Sequence, residues 1–353
     1  MSHPVQGGFF CFRVFHFMKI AVDAMGGDNA PEAIVEGVIH ALQQFDYIEL
    51  LYLVGDKEAI EREIKSHEFA DSRLKIHHCT QVVGMEESAV KSVRQKKDSS
   101  ISQAVNLVKE GICDAVVSAG NTGAAVAATS IKLRTLPGVE RAGIASPLPN
   151  EYGIANIVDA GANVDAKPAH LVQYAIMGAV YAKHVQGKKD PIIGLMSVGS
   201  EEGKGTDFTR EVYDLLKKTD LNFRGNIEGH DLFETELDVI VCDGFTGNVV
   251  LKSMEATAKV MFKWLKKDIK SSAFRQLGAL MVKGAFKATL ERGNYETYGG
   301  SPLLGVNGIC IIGHGSSSPR AVKNAIRVAA ESVRHEVNPH IEEEIAKYSG
   351  LLS

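Results

Sequence analysis

From Met18 onward, short runs of β-branched and apolar residues recur, and most of them end on glycine before an amphipathic stretch begins. The runs are KIAVDA, IELLYLVG, LKIHHC, DAVVSAG, IANIVDAG, IIGLMSVG, LDVIVCDG and GICIIG. None shows the in–out alternation of a half-solvated strand, so each reads as a strand covered on both faces. Helical patterns follow several of them, as over about Pro31 to Phe45 and about Ala321 to Val337. Alternation of this kind predicts an α/β fold with a mainly parallel sheet between two layers of helices. No fixed period repeats along the chain, which excludes solenoids and propellers. With 353 residues, 45% apolar and 23% charged, the chain is long enough for such a sandwich and is not of a disordered or fibrous type.

In an open α/β sheet, helix amino ends and free backbone N–H groups gather beyond the carboxyl ends of the strands, so ligands are expected there. Six small, polar loops follow the strand runs: residues 23–29 (DAMGGDN), 118–123 (SAGNTG), 159–163 (DAGAN), 197–205 (SVGSEEGKG), 243–248 (DGFTGN) and 313–317 (GHGSS). Together they predict an anion-binding floor built from Gly26, Gly27, Asp28, Ser118, Gly120, Asn121, Thr122, Gly123, Asp159, Asn163, Gly199, Gly315 and Ser316. Any one such loop reads equally well as a turn that needs positive φ; six in one chain point to a site.

Two nucleotide fingerprints fail. Gly199 to Gly205 resembles a phosphate loop, but only three residues separate Gly199 from Gly203, and Gly205 stands where a metal-binding Ser or Thr is required. Gly313 and Gly315 open a glycine pattern that Ser318 breaks, with no later strand to carry a ribose-binding acid.

Residues 248–292 form a second unusual segment. Leu251, Met254, Ala258, Met261 and Leu265 recur at spacings of three and four, a seam suited to helix pairing, and the pattern runs to Ile269 before Ser271-Ser272 interrupts it. Such a helix would be about 35 Å long. Phe274, Leu277, Leu280, Met281, Val282 and Phe286 then follow, so the segment reads as a helical hairpin with an apolar tip. Residues 251–292 carry ten Lys/Arg against three Asp/Glu, Lys283 and Lys287 among them, while the rest of the chain is strongly acidic. A basic apolar hairpin fits an anionic membrane surface or an acidic partner, and its seam fits a dimer contact.

Five cysteines without paired spacing imply reduced thiols and a cytosolic setting. No apolar run is long enough to span a bilayer. Residues 1–17 lack the features of a leader and are read as an extension, expected to be disordered, with the fold starting at Met18 and running to 353.

The stretches MKIAVDAMGGDNAPE, VVSAGNTGA, LMSVGSEEGKG, VCDGFTGNV and LLGVNGICIIGHGSS, in that order, resemble the signature segments of the bacterial phosphate acyltransferase family of phospholipid synthesis, acyl-carrier-protein:phosphate transacylases. The resemblance covers essentially the whole chain from Met18. It implies a three-layer α/β/α sandwich related to isopropylmalate dehydrogenase and phosphotransacetylase, with the helical hairpin projecting from it. It also implies a homodimer, peripheral membrane association on the cytoplasmic side, and a product that feeds a membrane glycerol-3-phosphate acyltransferase. No metal, organic cofactor or nucleic acid belongs to this reading.

A thioester is already activated, so phosphate can attack its carbonyl directly if the protein holds the two within about 3–3.5 Å and stabilises the oxyanion. On this reading Lys204 supplies positive charge, while Asn121, Asn248, Ser316 and the N–H groups near Gly120 and Gly315 donate hydrogen bonds. His314 protonates the leaving thiolate or orients phosphate, and Asp243 fixes Lys204 or His314. Asp28, Asp159 and Asp243 read alternatively as caps or turn formers. Cys242 closes an apolar strand and reads as an inert buried thiol. The membrane contact is assigned to Leu277, Leu280, Met281, Phe286, Lys283 and Lys287. Two other functions compete: a nicotinamide-dependent decarboxylating dehydrogenase on a related scaffold, and a non-catalytic membrane adaptor.

Overall fold

A computed structural model describes residues 18–352; the expected disorder of 1–17 falls outside them. Eleven strands form one sheet: β1 (Met18–Asp23), β2 (Ile48–Gly55), β3 (Leu74–His78), β4 (Ala115–Ser118), β5 (Gly143–Asn150), β6 (Gly153–Val158), β7 (Ile193–Met196), β8 (Phe223–Ile227), β9 (Val239–Val241), β10 (Ser301–Leu304) and β11 (Ile309–Ile312). Their spatial order is β3-β2-β1-β4-β11-β10-β5-β6-β9-β7-β8. All eight runs read from the sequence are strands. The three that escaped are β5, β8 and β10, and two of these carry proline, which argues against a strand. Pro147 and Pro149 of β5 pair only with β6, because β10 reaches no further along β5 than Gly143 and Ile144. The missing N–H groups therefore interrupt no ladder on the other side.

Successive residues along a strand feed opposite cores. Ile20 and Val22 of β1 pack with helices Glu32–Gln44 and Pro319–Arg334, while Ala21 packs with helices Ser100–Lys109 and Thr122–Lys132. In the other half, Val239 and Val241 of β9 face helices Pro168–His184, Asp207–Leu216 and Val337–Lys347, whereas Ile240 lies with Val250 and Met254 of helix Gly244–Lys270. Helices cover both faces, which gives the three-layer α/β/α sandwich.

The C-terminal pattern divides differently from the expected single run. One helix ends at Arg334, Glu336 adopts a left-handed backbone with φ of 48°, and a separate helix begins at Val337.

Strand direction governs where the loops go. Strands β3, β2, β1, β4 and β11 are mutually parallel; β10 is antiparallel to β11 and to β5, and β5 is antiparallel to β6. Strands β9, β7 and β8 then follow β6 in parallel. The β5–β6 hairpin thus reverses half of the sheet, so β6, β7 and β9 run opposite in direction to β1, β4 and β11.

Helix Gly244–Lys270 spans 27 residues, or about 40 Å. Only Gly244 and Gly247 are buried in it. Leu251 and Met254 of the expected seam pack on the body of the protein, while Met261 and Trp264 are 61% and 62% exposed. Ser271-Ser272 interrupts the helix as expected, and the return limb is two helices, Ala273–Met281 and Lys283–Arg292. Arg320 ties the base of this limb to the body through Glu291 and Thr297. Among the described residues no helix is long and apolar enough to cross a membrane.

Candidate functional site

The six loops form three groups. The first joins residues 23–28, 118–123 and 313–317. Asp28 N–H donates to Gly315 O at 2.8 Å, and Gly313 N–H donates to Ser118 O at 2.8 Å. Gly26 and Gly120 cross in direct contact: a Cβ on Gly26 would lie 2.8 Å from Gly120 N and 2.6 Å from Asp23 Oδ2. Gly27 has φ of +110°, open to glycine at no steric cost. Asp23 lies buried beneath the crossing, where its Oδ2 accepts from Ser118 Oγ at 2.7 Å, and burial pushes its carboxyl above the usual range. Ser118 Oγ in turn accepts from Gly120 N–H at 3.2 Å.

Helices Glu32–Gln44, Thr122–Lys132 and Pro319–Arg334 all start from these loops. The first amides of a helix, here those of Thr122 and Gly123, have no intrahelical acceptor, and three helix amino ends turned to one place favour an anion.

Asn121 caps its helix with Oδ1 accepting from Ala124 N–H at 2.9 Å. Its Nδ2 donates to the carbonyls of Met85 at 2.8 Å, Glu87 at 3.2 Å and Gly84 at 3.3 Å. Asn121 therefore builds the loop rather than offering a free amide to phosphate, because both ends of its side chain are already engaged. Segment 84–87, unremarked in the sequence, joins the site through these bonds; Glu87, hydrogen-bonded by Lys96, Ser92 and Gly84 N–H, has its carboxyl lowered to about 2.

His314 has a defined tautomer. Ser316 N–H donates to His314 Nδ1 at 3.1 Å, and Ser316 Oγ lies 2.8 Å from the same nitrogen. The neutral ring then carries its proton on Nε2. Burial, reinforced by the Lys252 and Lys259 ammonium groups, holds the imidazole below its usual pKa and so favours the neutral form. Nε2 sits 4.0 Å from Glu255 Oε2, and Lys252 Nζ sits 3.0 Å from that same oxygen. Lys252, Glu255 and Lys259 read in the sequence only as part of the hairpin's charge; their shared helix face near a strand-end loop was the available signal.

The second group joins residues 159–163 and 243–248. Asp159 is wholly buried, and its carboxylate accepts from the backbone N–H groups of Ile144, Gly161, Ala162 and Asn163 at 2.7–3.1 Å. Even so, burial raises its pKa. Asn163 donates to Tyr174 Oη at 3.1 Å and its carbonyl accepts from Gly244 N–H at 3.0 Å. Asp243 caps helix Gly244–Lys270, accepting from Thr246 N–H at 2.9 Å and Thr246 Oγ1 at 2.7 Å. The expectation that Asp243 fixes Lys204 or His314 is not met, since its carboxylate is engaged in that cap. Asn248 is exposed and faces Gly161. Cys242 is buried, with its thiol pushed well above the ordinary value, and a thiol held protonated is no nucleophile.

The third group is the 197–205 loop. Lys204 N–H donates to Glu201 O at 3.2 Å, and a Cβ on Gly199 would lie 3.2 Å from Lys204 Cγ. Lys204 is exposed and follows β7, which runs opposite in direction to β11, the strand before His314. The loops expected to form one floor therefore follow strands of two opposite directions. Helix Gly244–Lys270 reconnects two of the groups: it starts among the Asp159 loop and reaches His314 at Glu255, eleven residues and about 17 Å later.

Comparison with known proteins follows this geometry. The family model described as "Fatty acid synthesis protein" matches residues 18–340. A phosphate acyltransferase of Akkermansia muciniphila is 54% identical over 336 residues, covering 94% of this chain and 96% of its own length. One of Geobacter sulfurreducens is 48% identical over 328 residues, covering 93% and 94%. Among solved structures, a phosphotransacetylase from Streptococcus pyogenes aligns with a TM-score of 0.60 at 19% identity, covering 90% of this chain and 94% of that one. A branched-chain phosphotransacylase from Enterococcus faecalis aligns at 0.56 and 14% identity, covering 90% and 99%. These structural likenesses describe the fold.

Proposed function

The chain belongs to the fatty acid synthesis protein family, and from that premise we propose that it moves a fatty acyl group from an acyl-carrier-protein thioester directly onto inorganic phosphate, giving an acyl phosphate. Its relatives across nearly the full length are named phosphate acyltransferases, which supports transfer to phosphate. The observation that carries the reading is the convergence of three helix amino ends on the crossed loops 23–28, 118–123 and 313–317, beside a neutral His314.

In this mechanism a phosphate oxygen of hydrogenphosphate attacks the thioester carbonyl. A C–O bond forms, the tetrahedral intermediate collapses, and the C–S bond breaks. The acylated phosphate is the stronger acid, so the hydrogenphosphate proton ends on the departing sulfur, and charge balances without an external acid. A neutral imidazole holding its proton on Nε2 suits hydrogen-bond donation to phosphate or the oxyanion; it does not suit full proton transfer to the thiolate. His314 therefore orients phosphate, with Ser316 and the amides of Thr122, Gly123 and Gly315 as further donors. Asn248 and the Asp159 loop border the same helix further from the chemistry.

The proposal extends to the partners. The acyl donor is carried by an acyl carrier protein, two copies pair along the exposed stem of helix Gly244–Lys270, and the tip formed by Leu277, Leu280, Met281, Phe286, Lys283 and Lys287 touches the inner face of the cell membrane. There the product passes to a membrane glycerol-3-phosphate acyltransferase. Purified protein incubated with acyl-carrier-protein thioester and labelled phosphate is expected to yield a labelled lipid that hydroxylamine destroys. No such lipid, from folded protein at saturating substrates, overturns the reading.

A further inference from the structure

We infer that Lys252 is the cation that draws phosphate to His314, and that Glu255 occupies the phosphate position as an internal anion until the substrate displaces it. The inference rests on the acyl-phosphate reading and assigns residues within it. Three observations carry it.

First, one carboxylate oxygen, Glu255 Oε2, lies between Lys252 Nζ at 3.0 Å and His314 Nε2 at 4.0 Å. An ammonium and an imidazole N–H facing one oxygen are the donors that a phosphate oxygen takes. Second, Lys252 and Glu255 stand three residues apart on one helix and so share a face. That face turns to the loop where Asp28 N–H meets Gly315 O, beside the converging helix amino ends. Third, Lys204 follows β7, which runs opposite in direction to β11, the strand that delivers His314. Lys259 adds positive charge on the His314 side, and Asp28 opposes it. The Lys252–Glu255 pair is half-exposed, with side chains 53% and 29% accessible. Exposed pairs of this kind contribute little, so a dianion with more acceptor oxygens can replace the carboxylate.

The test is phosphate saturation kinetics on full-length protein with acyl-carrier-protein thioester, joined to calorimetric titration of inorganic phosphate without thioester. Lys252→Ala is expected to raise the phosphate KM at least roughly tenfold, the loss of one charge-assisted hydrogen bond, while the thioester KM stays unchanged. Lys252→Arg is expected to recover part of that loss, and Glu255→Gln to lower the phosphate KM. An unchanged phosphate KM in folded Lys252→Ala overturns the role of Lys252, and a raised phosphate KM in Glu255→Gln overturns that of Glu255. Should wild-type protein make no acyl phosphate, only the acyl-transfer reading falls. Equal phosphate affinity of wild type and Lys252→Ala in the titration then overturns the inference separately.

Discussion

Asp159 has no contact with solvent, and four backbone N–H groups depend on its carboxylate. Each buried donor left without an acceptor costs about 1–3 kcal/mol. Asp159→Ala is therefore expected to lower the unfolding free energy by at least about 3 kcal/mol in urea titration, and a loss below about 1 kcal/mol would show that the loop holds without it. The position of such residues was legible: polar groups just after buried runs mark strand ends. Their use was not. Asp159 and Asp243 read as ligand groups or as caps and turn formers, and Asn121 as a donor to phosphate; only distances decide that Asp243 bonds Thr246 and Asn121 holds segment 84–87. Lys204 shows the same limit, since a lysine beside glycines is visible in sequence while the direction of its strand is not.

At the scale of elements, period and β-branching identified the strands buried on both faces, and proline concealed β5 and β10, whose pairing partly avoids their missing donors. The hairpin was legible from its 3–4 spacing and charge. Its first turns pack on the body, while Phe274 and Met281 are 85% and 84% exposed. Apolar surface so open calls for a covering partner. Replacing Leu277, Leu280 and Met281 with serine is expected to reduce co-sedimentation with anionic phospholipid vesicles severalfold while turnover on a soluble thioester stays within about twofold. Undiminished sedimentation would place the lipid contact elsewhere.

For the whole molecule, the reversal at β5–β6 could not be read from the chain, because Pro147 and Pro149 hid β5 and with it the two-residue hairpin turn that joins it to β6. It sets the two groups of strands in opposite directions and leaves helix Gly244–Lys270 to join the Asp159 loop to His314. The stem of that helix exposes Met261, Trp264 and Leu265, in keeping with a second copy lying along it. The unaltered protein is expected to sediment as pairs, and a Met261→Glu, Trp264→Glu double variant as single chains with its circular dichroism unchanged; paired sedimentation of the variant would exclude this stem as the interface.

The length of the same helix sets a stand-off. Fifteen residues separate Glu255 from Lys270, a rise of about 22 Å, whereas one acyl chain spans about half of a hydrocarbon core roughly 30 Å thick. On the proposed reading, with the tip resting on lipid and the helix standing off the surface, a fatty tail whose head group is still beside His314 would fall short of the bilayer. Release from the pocket and entry into the membrane would then be successive events, and the outer stretch of the rod the ground the tail crosses between them.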